Sequence, residues 1–142
     1  MDDPLTTIAR VMAAYHYHGD RGDNRARALC FAPAGILETA LWMGRGREEI
    51  VRLLEARLPV EGRAPHFVRH HLTTSHVALD APGEASGISY FMVFTDSGLD
   101  HAGVYEDSFV HAGSDWLIAH RRVRIDWKAE ASFLRQPLWW GP

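Results

Sequence analysis

A chain of 142 residues with a net charge of −3 has the size of one domain and lacks the basic field of a nucleic-acid-binding protein. Apolar residues make up 46% and charged residues 23% of the chain, which excludes an intrinsically disordered protein. The single cysteine, Cys30, excludes an intrachain disulfide, and the sequence shows neither a signal-peptide pattern nor an apolar run of ~18–20 residues. We therefore expect a cytoplasmic domain that binds neither nucleic acid nor membranes.

Residues 1–60 have mainly helical patterns. Asp3 followed by Pro4 is typical of a helix start, and apolar residues then recur at three- and four-residue spacing as far as Tyr15. Asp23 is a good N-cap for a second, short helix. Both helices are therefore predicted to pack one apolar face against the rest of the domain.

A strand and a third helix complete this first part of the chain. The strand is predicted over residues 34–42, ends at Trp42, and is followed by a loop with Gly44 and Gly46. The inward stripe of the third helix is predicted to consist of Ile50, Leu53, Leu54 and Leu58.

From residue 65 onward the pattern changes to four β-rich stretches, separated by turn clusters of Gly, Asp and Ser. The stretches cover residues 66–79, 85–95, 102–112 and 116–127. Residues 65–127 are interpreted as an antiparallel meander and 128–142 as a C-terminal tail. The order of elements predicts a single α+β domain over 1–142, with a curved antiparallel sheet packed on three N-terminal helices around an apolar pocket.

Several polar residues are candidates for this pocket. Tyr15 lies on the buried helix face, where its phenol can donate a hydrogen bond to a ligand carbonyl. His70 and His71 are neighbours on one strand, so only one of them can face the pocket, and an imidazole there can take a proton from carbon. Tyr105 and Asp107 share one strand face and would add polar groups. The other candidates for substrate binding are Trp42 and His101. Each of these polar residues also has an ordinary structural interpretation as a hydrogen-bonded interior or surface group.

The nine histidines do not have the spacing of a metal site. His16 and His18 are two residues apart on a helix and do not face each other. His66 and His70 share a strand face but lie roughly 13 Å apart. We expect no metal and no other cofactor.

Six segments, in this order, carry a resemblance to a known family: residues 15–23, 29–33, 44–50, 69–74, 105–107 and 116–127. Over nearly its whole length the chain resembles the SnoaL-like, scytalone-dehydratase-like branch of the nuclear-transport-factor-two-like superfamily, which includes bile-acid 7α-dehydratase. The resemblance implies a cone-shaped, cystatin-like α+β barrel. It also implies a homodimer or homotrimer.

The resemblance further implies a cofactor-free dehydratase-type lyase or isomerase. Its ligand would be a small apolar carbonyl compound, such as a polyketide, steroid or aromatic intermediate. Tyr15, Asp20 and His71 match the catalytic positions: His71 as the base, Tyr15 as the hydrogen-bond donor to the enolate oxygen, and Asp20 as the group that orients one of them. The place of a second histidine is open between His101 and Thr95 or Asp96.

Two alternatives to a dehydratase stay open. The first is a module that binds a small ligand or assembles without catalysis. The second is a polyketide cyclase or an epoxide hydrolase, for which the available carboxylates are Asp20, Glu38 and Asp107. Trp139 and Trp140 are expected to close the pocket mouth or to pack on a neighbouring subunit.

Overall fold

The computed structural model describes residues 2–139. These residues form three helices and six strands. In chain order they are α1 (Pro4–Asp20), α2 (Asn24–Ala28), β1 (Phe31–Glu38), β2 (Met43–Arg45), α3 (Arg47–Glu55), β3 (Val68–Ala81), β4 (Glu84–Thr95), β5 (Gly98–Ala112) and β6 (Asp115–Lys128). The predicted order of helices first and meander second is confirmed, while the loop predicted around Gly44 is the short strand β2. No helix in the described part is long and apolar enough to cross a membrane.

The predicted helix starts are confirmed by their caps. The Asp3 carboxylate accepts a hydrogen bond from the backbone N–H of Thr6 at 3.0 Å, and the Asp23 carboxylate accepts one from the N–H of Ala26 at 3.0 Å. Each bond satisfies an N–H group that has no partner inside the helix.

The third helix is shorter than predicted. It ends at Glu55, so Leu58 lies beyond it and is 70% exposed. The placement of Leu58 on the inward stripe is wrong because the helical periodicity no longer applies there. Ile50 and Leu54 are buried as predicted.

The six strands form one curved sheet in the order β2-β1-β6-β5-β4-β3. Strands β3 to β6 pair antiparallel, as the meander predicts. Strand β1 runs parallel to β6, so the sheet is mixed rather than purely antiparallel. Among residues 2–139, β2 and β3 are the sheet edges and do not pair with each other, so the barrel expected from the resemblance is not closed.

The core lies between the helices and the inner face of the sheet. Helix α1 buries Ile8, Met12 and Tyr15, and it contacts β3 and β6. The sheet contributes alternate buried residues, such as Phe91 and Val93 on β4. Burial of each such side chain stabilises the fold by about 1.5–3 kcal/mol.

Gly103 on β5 allows two aromatic rings to stack beside this core. A Cβ atom at this position would lie 2.0 Å from the carbonyl oxygen of Arg124 and 2.9 Å from the Phe91 ring. The Phe91 ring therefore covers a bare backbone, and it stacks on Tyr105 with ring centroids 4.3 Å apart. This packing fixes where the Tyr105 phenol lies.

The C-terminal tail turns back onto the sheet. The backbone N–H of Trp139 donates to the carbonyl of Ile125 at 3.0 Å, and the Arg122 guanidinium lies 4.2 Å from the centroid of the Trp139 ring. Arg122 is on the sheet face opposite the helices, so Trp139 does not close the pocket mouth. Trp140 lies outside the described residues.

Candidate active site

An apolar cavity of about 640 Å³ opens beside the end of α3 and the C-terminal tail. Its apolar wall includes Leu41, Trp42, Leu53, Leu58, Pro59, Pro65, Val68, Phe133 and Leu134. The volume suits a small-molecule site, for which ~300–1,000 Å³ is usual. The predicted apolar pocket is thus present, and Trp42 lies in its wall.

A second, narrow chamber of about 30 Å³ lies next to this cavity. Arg57, Leu134 and Gln136 line both spaces, so the chamber adjoins the cavity. Its polar wall includes Tyr15, Arg27, Thr39, His70, His101 and Tyr105. The chamber has about the volume of one water molecule, so the apolar body of a ligand would lie in the wide cavity.

His70 is fixed in the chamber wall by Asp20. The Nδ1 atom of His70 lies 2.6 Å from Oδ1 of Asp20, and the backbone N–H of His70 donates to Oδ2 at 3.1 Å. Both side chains are largely buried, with 14% and 13% exposed. Because a carboxylate only accepts, Nδ1 carries the proton and Nε2 is left with a free lone pair.

His71 points away from the chamber. It is exposed, and its ring packs edge-on against Phe94 with centroids 5.4 Å apart. The assignment of His71 as the pocket base is therefore corrected: strand alternation directs His70 inward and His71 outward. The structure brings together Tyr15, Asp20 and His70.

A second histidine–carboxylate pair comes from an irregularity in β5. Val93 pairs with His101 and Phe94 with Leu99, so Asp100 is an extra residue in the strand. This bulge turns Asp100 and His101 to the same buried side, where Nδ1 of His101 lies 2.8 Å from Oδ2 of Asp100. His101 thus lines the chamber, as one interpretation of the sequence expected.

The C-terminal tail supports Asp100. Its carboxylate accepts hydrogen bonds from the Ser132 hydroxyl at 2.6 Å and from the backbone N–H of Phe133 at 3.2 Å. Sequence reasoning missed Asp100 because adjacent strand residues normally face opposite sides, and no residue pattern there marks a bulge.

Both chamber imidazoles are neutral at neutral pH. Burial lowers the pKa of His101 to about 4, although its bond to Asp100 acts in the opposite direction. Burial also lowers the pKa of His70, against the raising effect of its hydrogen bond to Asp20. Each neutral ring can accept a proton at Nε2.

Tyr15 and Tyr105 supply the hydrogen-bond donors. Their rings meet edge to face with centroids 6.2 Å apart, and the Arg121 guanidinium lies 4.4 Å and 4.0 Å from the two centroids. Burial, followed by the proximity of Tyr15, raises the pKa of Tyr105, which therefore remains protonated. Within residues 2–139, no hydrogen bond engages either phenol oxygen, so both can donate to a ligand.

Asp107 does not face the chamber. It accepts two hydrogen bonds of 2.8 Å from Nε and Nη2 of Arg121, and both side chains are 0% exposed. The assignment of Asp107 to substrate binding is corrected because Arg121 occupies both of its oxygens. Asp107 instead holds Arg121 between the two tyrosine rings.

The carboxylates considered for a cyclase or an epoxide hydrolase are all engaged. Asp20 binds His70 and Asp107 binds Arg121. Glu38 lies 3.2 Å from Nε2 of His120 and 3.5 Å from Nε of Arg122 on the other sheet face. None of these three is placed to activate a water in the chamber. Among residues 2–139, no group of three or more His, Cys, Asp or Glu side chains could hold a metal ion.

His16 lies behind the site as a buried imidazole. Only 6% of it is exposed, and neither ring nitrogen has a hydrogen-bond partner in the described part of the chain. The ring packs on His70 and Tyr105, with centroids 4.9 Å and 5.4 Å away. Burial, and then the neighbouring His70, lower the pKa of His16 far below its usual range.

We expect His16→Leu to reduce the sensitivity of the fold to acid. A histidine that stays neutral in the folded state but has a pKa near 6.5 when unfolded stabilises the fold above pH ~6.5, and this stabilisation is lost as the pH falls. At pH 5 the loss for one such group is about 2 kcal/mol. Urea unfolding at pH 7.5 and pH 5 measures the change in unfolding free energy for each variant. If the unfolding free energy fell as much in His16→Leu as in the wild type, the buried neutral His16 would not be the cause of the acid sensitivity. His18→Leu, on the same helix and only half-buried, is the control.

Comparisons with known proteins agree with this architecture. One similar structure is that of a variant of Rv3472, a protein of unknown function from Mycobacterium tuberculosis. It is 26% identical in sequence, with a TM-score of 0.73, and the match covers 86% of this chain and 71% of the Rv3472 chain. A candidate scytalone dehydratase from Novosphingobium aromaticivorans is 19% identical with a TM-score of 0.80, covering 97% and 93%. ActVI-ORFA from Streptomyces coelicolor is 18% identical with a TM-score of 0.75, covering 86% and 96%. At under 25% identity, the last two show the fold alone.

Sequence comparison gives the family. No curated protein sequence matches significantly. The sequence profile of the SnoaL-like domain matches residues 5–122, most of the chain. The protein therefore belongs to the SnoaL-like domain family.

Proposed function

We propose that this protein is a cofactor-free lyase or isomerase, of the dehydratase type, that enolises a small apolar carbonyl compound. One observation carries the proposal: two neutral imidazoles, each held at Nδ1 by a carboxylate, line the same chamber as two unengaged phenols, beside an apolar cavity. Enolisation of an apolar carbonyl compound needs a base, hydrogen-bond donors for an oxyanion and an apolar wall, and these groups are present.

His70 is the base in this mechanism. Its Nε2 atom takes the proton from the carbon next to the substrate carbonyl, and the electrons of the broken C–H bond move onto the carbonyl oxygen. The Asp20 carboxylate stabilises the imidazolium that forms. The hydroxyls of Tyr15 and Tyr105 donate hydrogen bonds to the enolate oxygen, where negative charge develops.

The proton that His70 has taken from the substrate completes either a dehydration or an isomerisation. In dehydration the enolate re-forms the carbonyl, the C–O bond to the β-hydroxyl breaks, and the His70 imidazolium gives its proton to the departing oxygen as water forms. In isomerisation the proton returns to a carbon further along the conjugated system. His101, neutral and with Nε2 as an acceptor, holds the substrate hydroxyl through a hydrogen bond.

A bicyclic β-hydroxy ketone tests the proposal. Loss of water from 3-hydroxy-1-tetralone gives a tautomer of the fluorescent 1-naphthol, and exchange of the α-protons of 1-tetralone in D₂O reports enolisation by NMR. We expect both reactions to be faster with the protein than in buffer. Binding of either compound with neither reaction would contradict catalysis and support a ligand-binding module.

We expect Asp20→Asn to slow both reactions by roughly 10- to 100-fold, because the amide no longer stabilises the imidazolium and does not enforce the Nδ1–H tautomer. The hydrogen bond to Asp20 raises the pKa of His70, so this pKa should also fall in the variant. A pH–rate profile beside an NMR titration measures both effects. Full activity in a folded Asp20→Asn protein would show that the carboxylate has no part in the reaction. Asp23→Asn, which retains a capping side chain, is the control.

A further inference from the structure

Arg57 lies where the wide cavity meets the inner chamber. It follows Ala56, the C-cap of α3, and lines both spaces. Its side chain is also exposed to solvent. Within residues 2–139, its guanidinium makes neither a hydrogen bond nor an ion pair, although it can donate five hydrogen bonds.

Arg27 is a second unpaired cation in the chamber wall. It is 7% exposed, and its Nε atom has no partner in the described part of the chain. Its guanidinium lies 4.2 Å from the centroid of the Tyr15 ring. A Cβ atom on Gly19 would lie 3.0 Å from Cζ of Arg27, so the guanidinium packs against the bare backbone there. No carboxylate pairs with Arg27 among the described residues.

The carboxylates around the chamber already have partners. Asp20 binds His70, Asp100 binds His101, and Asp107 binds Arg121. The two unpaired guanidiniums therefore face the chamber without a counter-ion.

The positive charges of Arg27 and Arg57 repel each other and influence the pKa values of the chamber histidines. Desolvation of the guanidinium by the surrounding protein, followed by the Arg27 charge, lowers the pKa of Arg57, although part of the side chain reaches solvent. Arg57 still remains protonated at neutral pH. The Arg57 charge also contributes to lowering the pKa of His70 and of His101. An anion between the two guanidiniums would remove this repulsion and accept charge-assisted hydrogen bonds in a partly desolvated space.

We propose that the substrate is an apolar ring or chain compound that carries a carboxylate, and that Arg57, together with Arg27, binds this carboxylate at the entrance to the chamber. The apolar body fills the wide cavity, and the reacting carbonyl enters the chamber. That the ligand is a substrate rests on the function proposed above; that it is an anion rests on the two arginines alone.

Two probes of equal shape and different charge test the proposal: 1-naphthoate and its neutral isostere 1-naphthamide, each titrated calorimetrically into the full chain. We expect the carboxylate to bind roughly 10- to 100-fold more tightly, as hydrogen bonds to a charged group are stronger than neutral ones. Arg57→Met should abolish most of this preference and change amide binding less than twofold. Arg57→Lys should retain part of the carboxylate preference. If Arg57→Met does not fold, the Arg57→Lys variant is used in its place. The matched control is Arg52→Met on α3, whose arginine is exposed and paired with Glu49.

Equal affinity for the two probes, an unchanged preference in both Arg57 variants, or no binding of naphthoate at millimolar concentration would overturn the proposal. The turnover of neutral 3-hydroxy-1-tetralone is measured separately. If the protein turns over the tetralone but binds naphthoate no more tightly than naphthamide, only the proposal of an anionic substrate is rejected. If the protein prefers naphthoate but does not turn over the tetralone, only the proposed catalysis is rejected.

Discussion

His70→Ala should slow dehydration and α-proton exchange by about 10²–10⁴-fold, the usual contribution of a general base, while the adjacent His71→Ala should leave both rates within twofold of the wild type. The two residues have the same chemistry and neighbouring positions on β3. Only His70 lines the chamber and binds Asp20, whereas His71 is exposed on the other face.

The pair of variants separates catalysis from folding. The free energy of unfolding, measured in urea for both proteins, verifies that each is folded at the assay temperature. A large rate loss in His71→Ala together with a small one in His70→Ala would contradict the site described here. Equal small losses in both would exclude either histidine as the base.

Asp107→Ala should lower the free energy of unfolding by about 3–5 kcal/mol, because it leaves the Arg121 guanidinium buried without a counter-ion. In a domain of this size we expect the melting temperature to fall by roughly 10–20 °C. Burial disfavours the charged form of Arg121, and the adjacent Asp107 charge outweighs this and raises the pKa of Arg121. Thermal melts followed by circular dichroism measure the shift.

An ion pair on the other face of the sheet is the control. Glu106 lies 2.7 Å from Nη1 of Arg124, and both side chains are about a quarter to a third exposed. Glu106→Ala should cost no more than about 1 kcal/mol, since solvent screens this pair. The double variant Asp107→Leu/Arg121→Met should recover most of the stability lost in Asp107→Ala, because no unpaired charge remains. Equal losses for Asp107→Ala and Glu106→Ala would contradict the buried pair.

The fold was largely predictable from local patterns. Capping aspartates and apolar spacing mark the helix starts, and turn clusters mark the strand ends of the meander. Two elements differ from the prediction. Strand β1 runs from Phe31 to Glu38 and not over residues 34–42, and it contains Pro33, where the pairing with β6 shifts its register. Strand β2 is only three residues long and pairs antiparallel with β1, so it is too short for any periodicity to reveal it.

The site was less predictable, for identifiable physical reasons. Strand β3 is an edge strand and mostly exposed, so its sequence lacks the apolar alternation that would show whether His70 or His71 faces inward. Asp100 joins the site only through a bulge set by pairing with β4. Arg27 and Arg57 look like ordinary surface arginines until the fold places them beside one chamber.

The role of His70 as the base is tested most directly by measuring which ring nitrogen carries its proton. ¹⁵N–¹H correlation spectra of the histidine rings across pH 5–8 give this tautomer, and the spectrum of His70→Ala assigns the signals. We expect a neutral ring at pH 7, protonated at Nδ1, with Nε2 free, and the loss of this tautomer preference in Asp20→Asn. A proton on Nε2 of the neutral ring, or a ring that is charged at pH 7, would leave His70 without a lone pair in the chamber. Either result would contradict its role as the base.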